Sequence, residues 1–191
     1  MNDVAPNEEV QRRLRPAMSF DQVPRLVFWE TTKACPLACV HCRATAQCTP
    51  APGELTTAEA KSIIDELASA ARPTPVLILT GGDCLQRPDL GELTGYAQAQ
   101  GVPVAISPSV SPSLNSAALA QLRANGVGTA SLSLDGAGAE THEQVRQVPG
   151  HFADTIRAIR LLKDHGFMVQ VNSAVMAQNV HELADIACLL V

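Results

Sequence analysis

The sequence predicts an α/β fold in which parallel strands are each followed by a helix. Two observations carry the prediction. Short runs of strand formers alternate, five times over, with segments of helical apolar spacing. Glycines or capping patterns punctuate most of the joins between them. Such alternation makes parallel strands joined by helical crossovers. A barrel and an open doubly wound sheet both satisfy it, and periodicity does not choose between them.

The elements follow in order. Residues 1–24 are polar and Pro-punctuated and read as a leader covering one end of the domain. Residues 25–191 form the domain proper. Its first strand is Arg25–Glu30, followed by a cysteine loop and a Pro-Gly segment. Thr56-x-x-Glu59 is a capping box, with Ala60, Ile63, Ile64, Leu67, Ala68 and Ala71 at helical spacing behind it. Val76–Leu79 is the second strand and ends at Gly81-Gly82. A helix starting at Pro88-Asp89 buries Leu90, Leu93 and Ala97 and stops at Gly101. Val104–Ile106 is the third strand, and a helix through Leu119 and Leu122 runs to Gly126. Thr129–Leu134 is the fourth strand. Phe152, Ile156, Ile159 and Leu162 mark the next helix, stopped by Gly166. Met168–Val175 is the fifth strand. Asn179-x-x-Glu182 caps a last helix with Leu183, Ile186, Ala187 and Leu190 inward. The chain stops inside that helix without a cap or polar tail, so the expectation is a truncated domain.

Composition narrows the function. Apolar residues make up 46% of the 191 positions and charged residues 17%, which is globular and not disordered. The net charge of −5 comes with no basic stripe, which argues against a nucleic-acid partner. A small or neutral substrate fits better, with a peptide also open. No basic-then-apolar start resembles a secretory signal, and no apolar run spans a membrane, so the expected location is the cytoplasm. The six cysteines are then expected as reduced thiols.

Three of those cysteines fall within eight residues, Cys35-Pro-Leu-Ala-Cys39-Val-His-Cys42, directly after the first strand. Clustering of this kind indicates metal before disulfide. Iron–sulfur clusters normally take four Cys thiolates. Three ligands on a cubane would leave one iron open to bind a small molecule. A structural zinc site with His41 or Cys48 as fourth ligand is the competing reading.

The spacing resembles the C-x3-C-x2-C motif of the radical S-adenosylmethionine (radical SAM) superfamily. Two further segments extend the resemblance in the right order. Thr80-Gly-Gly-Asp-Cys-Leu-Gln-Arg-Pro-Asp-Leu90 is similar to the family's Gly-Gly-Glu segment at the end of strand 2. Ser131-Leu-Ser-Leu-Asp-Gly136, with Thr141-His-Glu-Gln-Val-Arg146 and Gly150, is similar to the segment after strand 4 in the subgroup that matures peptide-derived or tetrapyrrole cofactors. The resemblance covers residues 24–191.

It implies a partial parallel (β/α)6 barrel, here truncated after the fifth strand–helix unit. It implies a 4Fe-4S cluster on Cys35, Cys39 and Cys42, with SAM bound at the open iron. Reductive cleavage of SAM would give a 5′-deoxyadenosyl radical that abstracts hydrogen from a small-molecule or peptide substrate. An electron donor such as flavodoxin or ferredoxin is implied as partner.

The same resemblance suggests roles for other residues. Gly81 and Gly82 permit close backbone approach to SAM, and Asp83 accepts from its ammonium. Ser133 meets the ribose hydroxyls. Asp135 holds the following loop or faces substrate. Arg146 meets the SAM carboxylate or orders its loop, and Asn172 on strand 5 is a further candidate.

The sequence departs from the family pattern at Asp83 for Glu, Cys84 for Pro and His41 for an aromatic residue. Strand 6 is absent. The alternative function is therefore a truncated, non-catalytic cluster-binding module. Cys48, Cys84 and Cys188 are expected as buried small hydrophobes, with a ligand role open for Cys84. His142, His151, His165 and His181 are expected at the surface or at helix caps.

Overall fold

A computed structural model of the protein describes residues 24–70 and 73–190. The expected leader, apart from Pro24, lies outside the described residues, as do Ala71 and Val191. The strands are β1 (Leu26–Glu30), β2 (Val76–Thr80), β3 (Val104–Ile106), β4 (Thr129–Ser133) and β5 (Met168–Asn172). The helices are α1 (Thr57–Ala70), α2 (Leu90–Ala99), α3 (Ser116–Ala124), α4 (Ala139–Arg146), α5 (His151–Asp164) and α6 (Leu183–Leu189). All four neighbouring strand pairs are parallel, and the sheet order is β1-β2-β3-β4-β5.

That order settles what periodicity leaves open. A doubly wound sheet reverses its strand order at a switch point, and this one never reverses. It is an arc of a parallel barrel. Register places Phe28, Ile78, Ala105, Thr129 and Met168 in one row across the sheet. Residues on the opposite face, including Val27, Trp29, Leu77, Leu79, Ala130 and Leu132, join the core with Ile64, Leu93, Leu119 and Leu162 of the helices. Each such large apolar side chain contributes roughly 1.5–3 kcal/mol on burial. The inner face is open at both edges, where Phe28 is 67% exposed and Met168 72%.

The Thr56–Glu59 capping box forms reciprocally: Glu59 accepts from the Thr56 N–H at 2.8 Å, and Thr56 Oγ1 from the Glu59 N–H at 3.3 Å. Asn115 caps α3 by accepting from Ala117 and Ala118. The expected box at Asn179 does not form. Asn179 is fully buried and donates to the Asp135 and Ala174 carbonyls at 3.0 and 2.8 Å. Glu182 instead accepts from the Ala137 N–H at 2.7 Å and from Thr141. Within α6 only Ile186 is buried, Ala187 is exposed and Leu190 is 40% exposed, which corrects the expected inward face. Strand β5 ends at Asn172, because Ser173 turns to donate to the Leu134 carbonyl. Helix α4 has no counterpart among the expected elements: its residues are mostly polar and only His142 and Val145 are buried. Among the described residues no helix is long and apolar enough to cross a membrane.

Candidate metal centre

The cysteine loop leaves β1 and meets the end of β2 through backbone hydrogen bonds. The Gly82 N–H donates to the Thr32 carbonyl and the Asp83 N–H to the Ala34 carbonyl, both at 2.7 Å. Further on, the Cys35 N–H donates to the Gln47 carbonyl at 2.9 Å and the Gln47 N–H to that of Lys33 at 3.2 Å. This close approach explains the glycine pair. A Cβ on Gly81 would stand 2.6 Å from the Thr32 carbonyl oxygen, and one on Gly82 would strike the Ala34 carbonyl. Gly81 also has φ +128°, a conformation that side chains disfavour. Glu54 braces the base of the loop: its Oε1 accepts from the Lys33 N–H at 2.8 Å, the Ala51 N–H at 2.7 Å and the Thr32 hydroxyl at 3.0 Å. Arg87, stacked on Trp29, ties the Thr31 and Leu55 carbonyls together and pairs with Asp89.

Asp83 stands one layer behind this wall. Its carboxylate is fully buried and accepts from the Leu85 and Ser109 N–H groups, the Gln86 amide and the Ser111 hydroxyl, at 2.9–3.2 Å. It clamps the loop after β3 onto the end of β2. Ser109 in that loop donates to the Gly82 carbonyl at 3.1 Å and lies 3.4 Å from Cys35 Sγ.

The facing wall comes from the ends of β4 and β5, and side chains hold it. Asp135 is fully buried, accepts from the Ala174 N–H at 2.8 Å and pairs with Arg146 at 2.5 Å. Arg146 in turn donates from Nη1 to Cys39 Sγ at 3.6 Å, and the Val40 N–H donates to the Val145 carbonyl at 2.9 Å. His142 and His151 stack beneath, with ring centroids 5.1 Å apart. The Asp135 N–H donates to His142 Nδ1 at 3.1 Å. The His142 proton therefore sits on Nε2 and is donated to His151 Nδ1 at 2.9 Å, which leaves the His151 proton on Nε2. Burial, then His151 and Arg146, lower the His142 pKa to about 4, so it is neutral. Burial lowers that of His151 too, with Arg146 adding to it. The expectation of surface or capping places is corrected in part: His142 and His151 are buried, though His151 opens α5, while His165 caps the end of α5 and His181 is exposed.

Between the walls is a cavity of about 160 Å³ lined by Cys35, Cys39, Cys42, Gly81, Gly82, Ser133 and Arg146. The structure thus brings together seven of the ten residues given a role in the sequence, and Asp83, Asp135 and Asn172 do not line the cavity. Asp83 does not line the cavity, since its oxygens are spent inside the protein. Asn172 is exposed on the inner face of β5, where its Oδ1 accepts from Gln170 at 2.7 Å. Cys84 is buried in the core with its pKa pushed well up by burial, which leaves it an inert thiol, as expected for a small hydrophobe. Cys48 and Cys188 are exposed instead.

The donor set fits a cluster better than a single ion. Among the described residues, no three His, Cys, Asp or Glu side chains converge closely enough for one metal ion. A cubane spreads its ligands wider, because each thiolate binds a separate iron. Burial holds the Cys39 pKa above its ordinary value, and the Arg146 cation offsets only part of that rise. Arg146 Nε is buried without a hydrogen-bond partner among the described residues. Buried donors are normally paired, so this is an unmet donor of a residue that lines the cavity. His151 Nε2 also lacks a well-formed bond among the described residues and lies against the Val110 backbone.

Sequence reasoning missed Glu54, Ser109, Asn179 and the histidine pair. Nothing local marks them, because each acts on a residue at least 9 and as many as 74 positions away.

Comparison with known proteins agrees with this geometry. The model of the radical SAM superfamily matches residues 29–190. The chain is 43% identical over 162 residues to the AdoMet-dependent heme synthase of Oleidesulfovibrio alaskensis, covering 85% of this chain and 41% of that one. It is 38% identical over 167 residues to the mycofactocin maturase MftC of Mycobacterium ulcerans, covering 87% and 44%. It therefore spans less than half the length of these relatives. Among solved structures, Streptococcus suis SuiB bound to S-adenosylmethionine superposes with a TM-score of 0.74 at 12% identity, covering 87% of this chain and 38% of that one, a likeness of fold.

Proposed function

Because the chain belongs to the radical SAM superfamily, we propose that it supplies the cluster- and SAM-binding half of an enzyme that matures a cofactor or peptide. The observation that carries this reading is one cavity lined by three cysteines, a glycine pair and a buried arginine with a free donor. A cluster held there would supply the electron for reductive cleavage of SAM, the source of the radical that abstracts hydrogen in this family.

The protein's own residues hold, orient and shield. Cys35, Cys39 and Cys42 hold three irons as thiolates. Gly81 and Gly82 let the cysteine loop pack directly on the end of β2, which sets the cysteines at the cavity. The unpaired Nε of Arg146 receives the SAM carboxylate, a charge-assisted bond. Ser133 at the end of β4 faces the ribose, and Asn172 stands beside it in register. Asp83 acts indirectly, by fixing Gly82 and Ser109. The names of the relatives support cofactor maturation, and the electron comes from a flavodoxin- or ferredoxin-like donor.

Anaerobic reconstitution of the chain tests the reading. About four irons per chain are expected, lost on alanine substitution of Cys35, Cys39 or Cys42. Addition of SAM should change the electron paramagnetic resonance signal. Stoichiometric zinc in place of iron would sink it. Four irons with no response to SAM would favour the non-catalytic module.

A further inference from the structure

We propose that the buried Asp135–Arg146 pair sets the reduction potential of the cluster by acting on the Cys39 thiolate, an inference that rests on the cluster reading above. The guanidinium bridges two partners. Nη1 donates to Cys39 Sγ at 3.6 Å, and Nη2 pairs with Asp135 Oδ2 at 2.5 Å. The side chains of Arg146 and Asp135 are only 11% and 1% exposed, so water screens neither charge well. Hydrogen bonds to the sulfurs and the net charge around a cluster set its potential. Reduction adds negative charge, so a cation donating to a ligand sulfur favours the reduced form.

Asp135 works in the opposite direction. Its carboxylate sits on the same guanidinium and cancels part of that charge. It is fixed there by the Ala174 N–H at 2.8 Å, and its carbonyl is held by Asn179 at 3.0 Å. The nearby His142 and His151 are held neutral and do not compete. The other two cysteines are placed differently. Cys35 lies 3.4 Å from the neutral hydroxyl of Ser109, and Cys42 meets the Ala44 carbonyl at 2.6 Å. Of the three ligands, Cys39 is the one that a charged side chain of the described residues hydrogen-bonds.

The test is a potentiometric titration of the anaerobically reconstituted full chain without SAM, read by electron paramagnetic resonance. Arg146→Gln should lower the potential, so that the reduced-to-oxidised ratio at a fixed poise falls about tenfold, ~59 mV for one electron. Arg146→Lys should lose less. Asp135→Asn should shift the potential upward, because it leaves the arginine unopposed while keeping an acceptor for the Ala174 N–H. Opposite signs are the signature, since a merely structural role would move both variants alike. An unchanged potential in Arg146→Gln with its iron intact overturns the proposal, as do shifts of the same sign. If Asp135→Asn does not fold, Ser109→Ala decides: its shift must be smaller than that of Arg146→Gln, and an equal or larger one overturns the proposal. Failure of the unmutated chain to take up iron would remove the cluster reading itself, and this inference with it.

Discussion

The two walls of the cavity are built by different means. The wall from β1 and β2 is a backbone construction: carbonyls of Thr32 and Ala34 meet the N–H groups of Gly82 and Asp83 at 2.7 Å, with no room for a Cβ between. The wall from β4 and β5 is a side-chain construction of Asp135, Arg146, Asn179 and two neutral histidines. A backbone-built wall fails when bulk is added. A side-chain-built wall fails when a charge or proton is moved.

The largest expected effect follows from that difference. Gly82→Ala places a methyl group against the Ala34 carbonyl and 2.9 Å from the Lys33 carbonyl carbon. Neither is a flexible side chain that can swing away. A cost of about 3 kcal/mol is expected, at the upper end for overpacking, together with loss of iron uptake as the cysteine loop is displaced. Chemical denaturation and iron analysis of the variant check both. Normal iron content in Gly82→Ala would show that the loop is held by something other than this contact.

The same contrast explains what is legible in the sequence. The strand–helix order, the capping box at Thr56 and the cysteine and glycine motifs are local patterns, and the structure has them where expected. A glycine pair is visible because the backbone that needs it is absolute in its demand. The second wall is legible only in part. Asp135 and Arg146 stand out through resemblance, with two roles open for each, and the structure shows Asp135 holding the loop after β5 through the Ala174 N–H. His142 and His151 read as surface residues because a polar helix such as α4 carries no periodic signal. Only tertiary packing reveals that its inward His142 has a histidine partner on α5. Asp83 is expected at the cavity, yet four donors in a loop 26–28 residues away and in the adjoining turn claim it.

The second wall should lose stability in mild acid, as pH falls from about 6.5 toward 4. His142 is buried neutral, with its pKa lowered to about 4 from 6.5 by burial and then by His151 and Arg146. In the unfolded chain it takes up a proton near pH 6.5, so the unfolded state binds more protons between the two values. Stability is therefore full above about pH 6.5 and falls as pH drops toward 4. The loss is on the order of 2–3 kcal/mol for His142, and His151 adds to it in the same direction. Urea midpoints at about pH 7.5 and about pH 5 measure it. His142→Gln should flatten the curve between those values, and a parent curve that is already flat would show that the pair is not held neutral.

The smallest effect tests whether the backbone wall also leans on a charge. Glu54 is half-buried, and one of its oxygens accepts from the Lys33 and Ala51 N–H groups and the Thr32 hydroxyl. Burial pushes its pKa up, but those hydrogen bonds outweigh it and the carboxyl ends below its ordinary 4.5. A lowered carboxyl contributes stability that is present above the unfolded value and is lost as pH falls through the folded one. Glu54→Gln keeps an oxygen in the same place and removes only the charge. Bonds to charged groups exceed neutral ones by about 1 kcal/mol, so the variant should be weaker than the parent by roughly that amount at neutral pH. As pH falls through its lowered folded value the parent carboxyl is itself protonated, and the gap should close. Because the comparison is between two proteins that share the histidine pair, acid effects on the second wall cancel in the difference. A gap that stays constant from neutral pH down to strong acid would mean that the substituted amide misfits sterically, and that the loop is held at this point by shape and not by charge.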